Sequence, residues 1–247
     1  MKLLPMIAAA ALMTTPALAA TKHAVAKSVA TKVAARNWLG TVVATPEGGF
    51  RIGNPAAKVK LIEYGSLTCS HCRDFHAASG ADLRAKYIAT GKLSFEYRNF
   101  VRNGLDFSAS ILAACDGPSK FFGRIDSLFA KQDDWMKPFV DMSPEAAAKV
   151  AALPADAQVA GLAKAGGLDV FMQTRGMTPA RIDQCLADKT AQERLAAMRK
   201  VAVDTYELDG TPMFLINGQR QTIDSFGQVR GVVSWAELEP KIVAALR

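Results

Sequence analysis

Hydrophobic positions along the chain change period several times, and each change marks an element. Val59-Lys60-Leu61-Ile62-Glu63-Tyr64 is a β-branched and aromatic run that reads as a short strand. Gly65-Ser66-Leu67-Thr68 turns the chain, and beyond it Phe75, Leu83 and Tyr87 recur at near-helical spacing. Leu93 to Phe100 alternates as a strand after the turn Thr90-Gly91-Lys92, so strand, helix and strand predict a βαβ unit. Ahead of it, two β-rich runs flank Pro46-Glu47-Gly48-Gly49 and predict a hairpin.

A long helical section follows. Ile111, Leu112 and Cys115 share a face, and Phe121, Phe122, Ile125, Leu128 and Phe129 give an apolar stripe that reads as core. Ser143-Pro144 and Thr178-Pro179 each place a capping hydroxyl before a proline at the first helical position. The β signal returns at Met213-Phe214-Leu215-Ile216, turns at Asn217-Gly218 and continues from Gln219 to Ser225. Ser234 and Glu237 then form a capping-box pattern ahead of Leu238, Ile242, Val243 and Leu246. The predicted order is a β hairpin, βαβ, a helical block, a second hairpin and a closing helix.

Composition changes this picture at the N-terminus. Met1-Lys2, the apolar stretch Leu3 to Met13 and Ala17-Leu18-Ala19 fit a secretory signal peptide over 1–19, cleaved near Ala19. Pro5, Thr14, Thr15 and Pro16 leave no uninterrupted apolar run of about 20 residues for a membrane anchor. Loss of Lys2 with the leader takes the formal charge from +7 to +6; four of those charges, Lys22, Lys27, Lys32 and Arg36, lie ahead of Glu47, the first acid, so 20–40 reads as a basic tail. The remainder is nearly balanced, which argues against a nucleic-acid surface. Four cysteines in an exported chain of this size are too few for a disulfide scaffold, although they permit two pairs.

The candidate chemistry sits at Cys69-Ser70-His71-Cys72, between the strand and the helix. A c-type haem site needs His directly after the second cysteine, and position 73 is Arg. A zinc site needs four ligands; there is no second CxxC and His76 adds one at best, so neither metal nor cofactor is expected. A redox dithiol fits the spacing. In disulfide exchange the thiolate attacks and leaves, and Cys69, at the helix start, is the candidate nucleophile, with Cys72 less exposed and suited to resolving a mixed disulfide. The helix dipole supplies about 0.3 to 1 kcal/mol, whereas lowering a thiol from about 8.5 to about 5 needs roughly 5 kcal/mol. Backbone N–H groups and His71 are expected to supply much of the difference. Gly210-Thr211-Pro212 enters the later strand, where a cis bond before Pro212 would turn the backbone of Thr211 outward as a pairing edge for substrate.

Leu61-Ile62-Glu63-Tyr64-Gly65-Ser66, then Cys69-Ser70-His71-Cys72-Arg73-Asp74-Phe75, the helical insertion, and Gly210-Thr211-Pro212 with Asn217-Gly218 together resemble the DsbA-type thiol:disulfide oxidoreductases of the bacterial cell envelope. The resemblance spans roughly 53 to 246. It implies an α/β thioredoxin fold, 41–104 with 205–247, interrupted by an all-helical domain, 105–204. It also implies a nucleophile at Cys69, a resolving cysteine at Cys72, a histidine at His71 that helps stabilise the reduced form, and a cis-proline at Pro212. Glu63 falls where the family has a buried acid that could relay the proton of Cys72; the other reading is a strand-end Glu in solvent. Cys115 and Cys185 match a second, structural disulfide found in some members, or are two buried thiols. Ser70 departs from the Pro of the best-known oxidants, and Thr211 from their Val.

The leading expectation is a monomeric periplasmic dithiol oxidase that donates the Cys69–Cys72 disulfide to reduced exported proteins and is reoxidised by a DsbB-type membrane partner. Isomerase or reductase activity from the same residues is the alternative. A non-redox peptide-binding holdase using the groove around Pro212 is a third.

Overall fold

A computed structural model of the chain describes residues 36–247; the predicted leader, 1–19, and all of the predicted basic tail but its last few residues lie outside the described part. After a short turn at Trp38–Gly40, strands β1 (Val42–Ala44) and β2 (Phe50–Gly53) form the first hairpin. Strand β3 (Val59–Gly65), helix α1 (Ser70–Asp82) and strand β4 (Leu93–Asn99) are the βαβ unit, with β3 and β4 parallel. Helices α2 (Gly104–Ala114), α3 (Pro118–Ala130), α4 (Gln132–Val140), α5 (Pro144–Ala151), α6 (Ala155–Ala165), α7 (Leu168–Gln173), α8 (Pro179–Leu186) and α9 (Lys189–Tyr206) follow. Strands β5 (Met213–Ile216) and β6 (Gln219–Arg220) return to the sheet, β7 (Thr222–Ser225) pairs with β8 (Gln228–Gly231), and α10 (Trp235–Leu246) closes the chain.

The sheet order is β1-β2-β4-β3-β5-β6, so β3 is flanked by β4 and by antiparallel β5. Tyr64 pairs with Met213, which brings the residues just before β5 to the carboxyl end of β3. The turn that joins β5 to β6 takes positive φ at Asn217 (51°) and Gly218 (82°). Asn217 Oδ1 accepts from the Lys60 N–H at 2.8 Å, tying that hairpin to β3. Ser234 and Glu237 make the reciprocal capping box at the start of α10.

One buried core runs through the sheet and the helical block: Phe121 stacks on Phe50 with ring centroids 4.0 Å apart, and Tyr97, Phe129, Leu105 and Leu168 are buried with them. Cys115 and Cys185 are joined as a disulfide, with Cα atoms 5.8 Å apart. No helix among the described residues is long and apolar enough to cross a membrane.

Three details differ from the sequence-based expectation. The strand predicted through Ser225 breaks at Gln221, whose N–H returns to Phe214 O, so β7 leaves the main sheet to pair with β8. The helix after the cysteines loosens into a π turn at Leu83–Ile88, with the Ala89 N–H reaching Arg84 O. Strand β4 is buried on both faces although its residues alternate in polarity. Its polar face is satisfied internally: Glu96 accepts from Arg98 at 2.7 Å and from Thr45 at 2.8 Å, and Arg98 also donates to Tyr64 Oη at 3.0 Å.

Candidate active site

The carboxyl end of β3 delivers the chain directly into Cys69, the N-cap residue of α1, whose backbone is extended (φ −95°, ψ 123°) and whose side chain makes no capping bond. Cys69 is 4% exposed and Cys72 is fully buried; neither is disulfide-bonded. From the other side comes Thr211-Pro212, joined by a cis peptide bond, with Thr211 O 3.3 Å from Cys69 Sγ. The structure therefore brings together Cys69, Cys72, Thr211 and Pro212 from segments about 140 residues apart in sequence.

Sulfur electrostatics divide the pair. The Cys69 thiol is held down to about 5, against 9.0 for an ordinary cysteine. The largest cause is a hydrogen bond from Cys72, which overcomes the cost of burial; Thr211 lowers it further, and Arg102 adds a positive field. Thr211 Oγ1 is buried and has no other partner, so its hydroxyl can donate to the sulfur once the thiol proton has left, while the Thr211 carbonyl accepts from the thiol form. Cys72 goes the opposite way: burial, the Cys69 sulfur and the charge of Glu63 push its thiol up. One sulfur is thus poised as the attacking thiolate and its neighbour as a retained proton donor.

Ser70 and His71 are both exposed on the first turn of α1. The expected assistance from His71 is not among the leading causes of the Cys69 shift; Cys72 and Thr211 take that role because they approach the sulfur directly, whereas His71 points to solvent. Glu63 is fully buried, which removes the reading of a strand-end residue in solvent.

Several residues of the site carry no motif. Asp106, fully buried at the start of α2, accepts from Ser66 Oγ (2.6 Å), Leu67 N (2.9 Å) and Arg102 N (2.9 Å). Ser66 in turn points its N–H at Cys72 Sγ, 3.5 Å away. Gln132 donates to the carbonyls of Leu67 and Cys69 at 2.8 and 3.0 Å, so the loop entering the site is clamped from α2 and α4. Asn103 caps α2 by accepting from the Asp106 N–H, and that Asn-x-x-Asp spacing is a sequence signal that would have marked Asp106 as a helix-start residue. Nothing in the sequence marks Gln132.

Comparison with known proteins agrees with this geometry. Residues 45–233 match the model of the family described as Thioredoxin. A protein-disulfide isomerase from Novosphingobium aromaticivorans superposes with a TM-score of 0.74 at 31% identity, covering 81% of this chain and 97% of that one. Wolbachia pipientis alpha-DsbA1 shares the fold (TM-score 0.60, 22% identity, 79% and 89% covered). A relative in Rickettsia bellii named "Putative protein-disulfide oxidoreductase" is 29% identical over 196 residues, 79% of this chain and 67% of its own length. A namesake in Rickettsia felis is matched over 60% of its length, so this chain corresponds to only part of these relatives. The chain belongs to the thioredoxin family, as a thiol:disulfide oxidoreductase with the helix-inserted fold of the DsbA type.

Proposed function

We propose that the chain is a dithiol oxidase, acting on reduced exported proteins. The observation that carries this reading is the low pKa of Cys69, about 5. At pH 7 a thiolate held two pH decades below neutrality stabilises the folded, reduced site by about 3 kcal/mol relative to an unshifted thiol. For a two-electron couple that makes the disulfide more oxidising by roughly 60 mV. A site that prefers its reduced form gives its disulfide away.

In the proposed cycle a client thiolate attacks Cys69 Sγ of the Cys69–Cys72 disulfide. The new client–Cys69 bond forms as the old bond breaks and leaves its electron pair on Cys72. A second client thiolate then attacks the client sulfur, releasing an oxidised client and a reduced site. The backbone at Thr211, whose carbonyl lies 3.3 Å from Cys69 Sγ, is the proposed rest for the client chain, and cis-Pro212 holds it beside Cys69. The proposal places this activity in the periplasm, in a monomer, with a DsbB-type membrane partner restoring the disulfide.

A second reading, isomerase or reductase, is favoured by the name of the Novosphingobium relative and by Thr211 ahead of the cis-proline. Equilibration with glutathione separates the two. The oxidase should have a potential less negative than about −180 mV and be reduced even in buffers holding a substantial share of oxidised glutathione; a disulfide that persists in mostly reduced glutathione would overturn the oxidase reading.

A further inference from the structure

Cys72 is fully buried and so is Glu63, yet the sulfur must gain or lose a proton each time the disulfide opens or closes. Neither group exchanges protons with water directly. Among the described residues, the carboxyl of Glu63 makes a single hydrogen bond, between its Oε2 and Nε2 of His76, 3.0 Å apart. His76 lies on α1 one turn beyond Cys72, with its side chain 12% exposed. Its ring stacks on Phe129 (centroids 4.2 Å apart, 23° between planes), which fixes its orientation. The open edge of the ring meets a groove of about 380 Å³ lined by Arg73, Ala77, Arg84, Asp126 and Phe129.

The charged groups around that groove are already engaged with one another. Arg84 from the turn after α1 donates twice to Asp126 of α3, at 2.6 and 2.8 Å, and Arg73 of α1 pairs with Asp74 and Asp133. From the sheet side His76 faces Glu63 of β3 and Tyr97 of β4, its ring centroid 5.8 Å from that of Tyr97. Glu63 Oε1 and Tyr97 Oη are buried without partners, and both face Gly65: a Cβ there would lie 2.8 Å from each. The next residue, Ser66, touches Cys72 Sγ. The acid therefore has one oxygen on the histidine and one unengaged on the side of the strand that leads to the cysteine.

We infer that His76 is the port through which protons pass between solvent and Glu63 whenever Cys72 changes its protonation state. When a client thiolate breaks the Cys69–Cys72 bond, the electron pair of that bond goes to Cys72 Sγ. His76, protonated from water in the groove, passes a proton to the Glu63 carboxylate, and Glu63 passes it on to the resulting thiolate. Closing the disulfide runs the same transfers backwards, so no outside oxidant or reductant enters the relay itself. This inference rests on the exchange chemistry proposed for the Cys69–Cys72 pair and holds for either direction of electron flow.

Two variants test it through the rate at which the oxidised protein is opened by reduced glutathione between pH 5 and 8. His76→Gln keeps an amide that can hold Glu63 but offers no titrating proton; it should unfold at the wild-type denaturant midpoint and react roughly 10²-fold more slowly, with the Cys69 thiolate absorbance unchanged. His76→Ala opens the groove onto Glu63 and should be slow in the same way, with added imidazole restoring the rate. A His76→Gln protein that reacts at the wild-type rate across this range overturns the inference. So does a slow His76→Ala protein that imidazole fails to rescue, because packing alone would then account for the loss. The equilibrium with glutathione tests the oxidase reading separately, since the relay alters rates and leaves that equilibrium where it was.

Discussion

Replacing Cys69 by Ser will reduce oxidation of a reduced, unfolded substrate protein to the buffer background, a loss of more than about 10³-fold. The remaining sulfur cannot take over, because Cys72 is fully buried and its thiol is pushed up by desolvation and by the charge of Glu63. At neutral pH it presents almost no thiolate and no accessible surface. Cys72→Ser should fail differently: its Cys69 thiolate attacks the disulfide of an oxidised client, one client sulfur leaves as a thiolate, and with no resolving thiol in the site the mixed disulfide accumulates on non-reducing gels. Acid quenching followed by gel separation reads both outcomes. A Cys69→Ser protein that still protected clients at the wild-type level would support the holdase reading.

Asp106→Asn is expected to lower the free energy of unfolding by about 3 kcal/mol, read from the denaturant midpoint at constant slope. Asp106 accepts three hydrogen bonds with its two oxygens, from Ser66 Oγ, Leu67 N and Arg102 N. An amide has one oxygen. Whichever way it is turned, its NH₂ group faces at least one of these buried donors and leaves it unsatisfied. Burial pushes the carboxyl up to about 6, against 3.8 unfolded, and outweighs the three donors. A raised pKa means that the contribution of this titration to stability is complete below about pH 4 and is lost as pH rises through 6. Asn does not titrate, so the gap between the two proteins should narrow over that window. Because Ser66 also contacts Cys72, the variant should loosen the loop beneath the active sulfurs as well.

What could be read in the sequence followed from short-range covalent logic. The run from Val59 to Tyr64, the turn and Cys69-x-x-Cys72 lie within fourteen residues, and strand, turn and helix signals overlap there. The caps at Ser143, Thr178 and Ser234 are also local, and each is made. The rest depends on pairing at long range. Ser94, Glu96 and Arg98 look like the wet face of a half-exposed strand; the ion pairs of Arg98 with Glu96 and Glu47, with hydrogen bonds from Thr45 and to Tyr64, let that face be buried. Asp106 and Gln132 reach the site from 39 and 63 residues away. His76 reads as an ordinary helix residue until β3 places Glu63 opposite it. The role assigned to His71 shows the limit of a motif: its position was correct on the first turn, but the sulfur is stabilised by the neighbours that touch it.

How the protein holds the charge of Cys69 decides what the site can do, and the measurement closest to that is the pH titration of thiolate absorbance near 240 nm in the reduced protein. A midpoint at about 5, moving upward in Cys72→Ala because the donating thiol is lost, is the expected result. The same charge stabilises the reduced fold fully above about pH 9, the unfolded value, and that advantage should vanish as pH falls through 5. A midpoint near that of a free cysteine, or one that Cys72→Ala leaves in place, would show that Cys72 and Thr211 do not make Cys69 the stable thiolate of the pair.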